Sequence, residues 1–88
     1  MAGIGVSVKK AADFEEAMSR VKAISGATGQ DFEDLKNSAA KMGAETKYTA
    51  VEAAEGLQYL AMAGFSVKAQ VGSLPAVLNL AAASGEGL

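Results

Sequence analysis

The stretch that decides the fold is Thr49-Ala50-Val51-Glu52-Ala53-Ala54-Glu55-Gly56-Leu57-Gln58-Tyr59-Leu60-Ala61-Met62-Ala63-Gly64. Thr49 and Glu52 stand three apart, the spacing at which a hydroxyl and a carboxylate cap each other's backbone N–H groups at a helix start. Ala50, Ala53, Ala54, Leu57, Leu60 and Ala61 then recur at three- and four-residue intervals along one side. Gly64 follows the last of them as the stop. Start, stripe and stop together predict a helix over about 50–63.

The same punctuation extends in both directions. Phe14, Met18, Val21 and Ile24 or Ser25 form a stripe that predicts a helix over about 8–24, ended by Gly26, with an Asp13–Glu16 capping pattern partway along it. Thr28 with Asp31 opens a second helix over about 29–42, whose face is Phe32, Leu35, Ala39 and Met42 and whose stop is Gly43, placed to terminate it in the left-handed conformation that a β-carbon disfavours. Ser66 caps a short element over 67–73. Pro75 suits the first turn of another helix over 75–84, where its missing N–H has no partner to lose. Residues 1–7 read as a flexible Gly-rich lead-in. The expected fold is all-α, four to five short helices joined by Gly-containing turns, with no sheet.

Composition narrows the chemistry. The 88 residues contain no His, Cys or Trp and carry a net charge of −2. Ser-His-Asp and Cys-His nucleophiles, thiolate or imidazole zinc sites, iron–sulfur clusters and disulfides are all excluded. A chain this short buries only roughly 60–65% of its unfolded surface. With 19 Ala against three Phe and two Tyr, the core it can build is thin. The eight Lys and Arg are not gathered into a nucleic-acid footprint. Charge thins along the chain, from +1 over 1–24 to −1 over 25–48 and −2 over 49–88, the last part holding Lys68 as its one cation. The apolar run Leu74 to Ala83 is about half the length a membrane-spanning helix needs.

Each local cluster has a structural reading. Gly3-Ile4-Gly5 lacks the third glycine of a dinucleotide loop, Val8 standing in its place, and has no preceding strand. Asp31, Glu33 and Asp34 are interleaved with Phe32 and Leu35, which places them in the first turns of a helix and not in a calcium loop. Glu16 and Arg20 are an i,i+4 pair. Tyr48 and Tyr59 read as packing plugs at helix boundaries. No catalytic, cofactor-binding or metal-ligating residue is predicted, and no small-molecule substrate or specific nucleic-acid site. The distinctive feature is a small-residue surface: Ala50, Ala53, Ala54, Leu57, Ala61 and Gly64, then Leu78, Ala81 and Ala82. Small faces let helix backbones approach closely. The face is completed either within a slim core of this chain or by self-association with other helices or copies.

Longer strings carry a resemblance. Between Phe14 and Gly85, residues 14–29, Leu35 through Ala39, Met42-Gly43-Ala44-Glu45-Thr46-Lys47-Tyr48-Thr49-Ala50, Glu52-Ala53-Ala54-Glu55-Gly56-Leu57, Tyr59-Leu60-Ala61-Met62-Ala63-Gly64-Phe65 and Leu74-Pro75-Ala76-Val77-Leu78-Asn79-Leu80-Ala81-Ala82-Ala83-Ser84-Gly85 resemble the core region of tail tape measure proteins of long-tailed bacteriophages and prophages. The resemblance covers about four-fifths of the chain, and its motifs are not catalytic. It implies a piece of a much longer, largely helical structural protein that sets tail length, scaffolds tail-tube assembly and is expelled during DNA ejection. It further implies tail-tube, tail-chaperone and tail-tip proteins as partners, contact with the host envelope during ejection, and a place in the virion tail lumen, after assembly in the host cytoplasm. The competing class is a generic helical oligomerisation or adaptor module that binds a partner helix on its Ala-rich face.

Overall fold

The computed structural model describes residues 3–84, with side chains over 11–83, and resolves them into four helices. These are α1 (Gly3–Ser25), α2 (Gly29–Glu45), α3 (Ala50–Met62) and α4 (Val67–Ser84), with no strand among the described residues. The fold class is all-α.

Helix α3 begins and ends on the signals its sequence carries. The Thr49 hydroxyl accepts from the Glu52 N–H at 3.1 Å, and the Glu52 carboxylate accepts from the Thr49 N–H at 2.9 Å, a complete capping box. At the other end Gly64 has φ +90°, which lets the chain reverse. The Phe65 N–H then donates to Leu60 O and the Gly64 N–H to Ala61 O, both at 3.0 Å. This nested pair is a Schellman stop that satisfies two of the last carbonyls. Thr49→Ala removes the hydroxyl acceptor and is expected to cost about 0.5–2 kcal/mol, read as a lower midpoint in chemical denaturation at unchanged slope.

Elsewhere the punctuation acts differently from its local appearance. Helix α2 does not stop at Gly43, which is not among the glycines with positive φ; it runs on to Glu45. Thr46 ends it instead. Its N–H and its hydroxyl both donate to Met42 O, at 3.0 and 2.7 Å, and the hydroxyl then accepts from the Tyr48 N–H at 3.1 Å. Gly43 marks a close crossing: a β-carbon there would lie 2.5 Å from the Ala50 nitrogen and 2.8 Å from its Cα. Thr28 occupies the N-cap of α2 with extended backbone, but its side chain makes no capping bond. Asp13 lies within α1, so the Asp13–Glu16 pattern caps nothing. Glu16 pairs instead with Arg20 at 2.6 Å, an exposed contact worth a few tenths of a kcal/mol.

Two expected boundaries disappear. The elements expected at 67–73 and 75–84 are one helix, with Pro75 in its interior. Proline removes the N–H that would serve the Val71 carbonyl and disfavours helix at the preceding residue. Burial of Leu74 and Leu78, at 0% and 1% exposure on either side of it, holds the helix continuous. The flexible lead-in expected over 1–7 is, from residue 3 on, the first part of α1. Gly3 and Gly5 lower helix propensity by about 1 kcal/mol each but break no hydrogen bond, so nothing stops the helix there.

Helix α3 is the centre of the assembly. It packs against α1, α2 and α4, and α2 also touches α4. The result is a flat body of 40 × 33 × 16 Å. Its core joins Met18 and Val21 of α1, Leu35, Ala39 and Met42 of α2, Ala53, Ala54 and Leu57 of α3, and Leu74 and Leu78 of α4. In α1, no described side chain before Phe14 is even half-buried.

Candidate functional site

The small-residue face is divided by the fold. Ala53, Ala54 and Leu57 are fully buried in the centre, and Ala61 and Leu78 are buried beside them. Ala50 is half-buried where α3 crosses Gly43, and Ala81 is half-buried on α4. Gly64 and Ala82 remain exposed. The tight α2–α3 crossing needs this composition, because a side chain at position 43 or a larger one at 50 would separate the two backbones.

The exposed apolar groups are different residues. Tyr59 and Met62, three apart on α3, are 47% and 57% exposed; Phe65 in the following turn is 40% exposed and Leu80 on α4 is 72%. Tyr59 is therefore not the packing plug expected of it, whereas Tyr48 is buried, with Lys47 Nζ 5.3 Å from its ring centroid. The signal for this surface was present in the sequence. Between Leu57 and Ala63 the one non-hydrophobic residue is Gln58, and a helix apolar all round keeps apolar side chains on whichever side its neighbours leave open.

A groove of about 580 Å³ lies between α2 and α4. Its floor is Met42, Val67, Val71 and Pro75, and its rim carries Asp31, Asp34, Lys41 and Lys68. Asp34 also accepts from the Gln30 amide at 2.9 Å, as an acid in the first turns of a helix does. Among the described residues no group of three His, Cys, Asp or Glu is placed to hold a metal ion, and no helix is long and apolar enough to cross a membrane. Lys36 reaches Glu15 at 3.8 Å across α1 and α2, another partly exposed pair of small energetic weight.

These elements define a helix-only module whose side chains serve packing and surface contact. Comparison with known proteins assigns it more closely. A family model described as phage-related minor tail protein matches residues 36–88, the span that holds most of α2 and all of α3 and α4. The tape measure protein of Pneumococcus phage Dp-1 is 46% identical over 79 residues, which is 90% of this chain and 7% of that protein. The chain belongs to the phage tail tape measure family. It spans a small fraction of the length of that relative. No solved structure matches it.

Proposed function

We propose that this chain is a helical segment of a long tape measure polypeptide, that it lies in the lumen of the tail, and that it acts without catalysis. The observation that carries this reading is the 46% identity to a protein named for that role, extending over 90% of the chain. In this reading the segment contributes to tail length, to assembly of the tail tube around it and to expulsion ahead of the DNA. Its partners are tail-tube, tail-chaperone and tail-tip proteins, with the host envelope met at ejection. Self-association uses what the fold leaves outside: Gly64 and Ala82 of the small-residue face, with the exposed Tyr59, Met62 and Leu80.

The test is an in-frame deletion of these 88 residues from a phage that encodes them, with tail lengths measured by electron microscopy. A ruler segment held as continuous helix shortens the tail by about 130 Å, at 1.5 Å per residue. A segment that keeps its folded form shortens it by no more than the 40 Å of its longest dimension. Tails of unchanged length would remove the ruler role from this segment.

A further inference from the structure

Helix α4 is held less completely than its 18 residues suggest. Its fully buried positions among the described side chains are Gln70, Leu74 and Leu78, and it lies against α3 and α2. Gln70 is 0% exposed; its amide nitrogen donates to Phe65 O at 3.0 Å, but its Oε1 is buried with no partner. An unpaired buried acceptor favours any state in which water can reach it. Five residues on, Pro75 supplies no N–H to the Val71 carbonyl. Val71 and Pro75 also line the groove, so on that side α4 stands off from α2. The exposed turn at residues 64–66 joins α4 to α3, and past the cap at Gly64 it is the one covalent link between them.

We propose that α4 is a strap that opens from α2 and α3 about the turn at residues 64–66 while α1, α2 and α3 stay folded, with Gln70 setting how often it opens. Opening hydrates the Gln70 amide oxygen and uncovers the apolar α2–α3 surface beneath Leu74 and Leu78.

Hydrogen–deuterium exchange of the 88-residue chain, followed amide by amide by NMR at several sub-denaturing guanidinium concentrations, tests this directly. Amides of residues 71–81, Pro75 having none, are expected to exchange through an opening with a smaller denaturant dependence than the opening that exposes α3. Gln70→Met keeps the shape and removes the orphaned acceptor; it also removes the amide donor to Phe65 O, a carbonyl in the exposed turn where water replaces the bond, so exchange across α4 should slow, by up to about tenfold. Val21→Ala weakens α1 packing, which the open state retains, so it should speed exchange in α1 and α3 and leave α4 rates unchanged. A single opening with one denaturant slope across all four helices would overturn the proposal, as would equal acceleration of α4 by Val21→Ala. If Val21→Ala does not fold, the slopes of the unsubstituted chain decide between the two outcomes.

Discussion

Leu57→Ala is expected to abolish the cooperative fold at physiological temperature or bring it to the edge of unfolding. Leu57 is fully buried at the middle of α3, the helix that touches all three others. Truncating a buried leucine costs about 2–5 kcal/mol, the spread reflecting how far the surroundings collapse into the space. Single domains hold about 0.05–0.15 kcal/mol per residue, so the total available to 88 residues is roughly 4–13 kcal/mol. A thin core places this chain toward the low end. Each kcal/mol is worth about 4–8 °C of Tm at this size, so thermal denaturation followed by circular dichroism should show a fall of at least about 8 °C. Leu80→Ala, at a position 72% exposed, is the control and should stay within about 0.5 kcal/mol of the unsubstituted chain. Equal effects at the two positions would mean that α3 is not the centre of the core.

Gly43→Ala should destabilise by about 1–3 kcal/mol or more, the range for forcing extra atoms into a packed site. The atoms in the way are backbone, the Ala50 nitrogen at 2.5 Å and its Cα at 2.8 Å, and no rotamer change can move them aside. Relief requires the end of α2 to part from the start of α3, which pulls on the capping box at Thr49. The same substitution at Gly72 should have the opposite sign. A β-carbon there meets nothing within 4 Å, and replacing glycine in a helix interior gains about 0.5–1 kcal/mol. Comparing denaturation midpoints of the two variants isolates the crossing, because the chemical change is identical.

Gly64 and Gly43 mark what sequence can and cannot convey. Thr49 with Glu52, and Gly64 after Ala63, were legible because every partner lies within a few residues; both motifs form as their spacing predicts. Gly43 looks like the same kind of stop, since a glycine after an apolar stripe ends many helices. Its actual role depends on Ala50, seven residues later and on another helix, which local pattern cannot supply. Pro75 departs from its local pattern for the parallel reason: its local rules favour a helix start, and the burial of Leu74 and Leu78 against other helices overrides them. For the surface, small residues at helical spacing show that close packing occurs but not where the partner comes from. The fold places Ala53, Ala54 and Leu57 inside and leaves Tyr59 and Met62 outside, a division set by where α1, α2 and α4 lie.

The Ala-rich core has a calorimetric consequence. Five of the thirteen residues in the main cluster, Ala17, Ala27, Ala39, Ala53 and Ala54, are alanine, so little apolar surface is newly wetted when the chain unfolds. Heat-capacity increments scale with that surface, at about 12–15 cal/mol/K per residue for ordinary domains, and this chain should fall at or below the low end. The same deficit limits the maximum stability and flattens its curvature with temperature. The expected profile is a low, broad dome in which cooling and warming by the same interval both weaken the fold slowly.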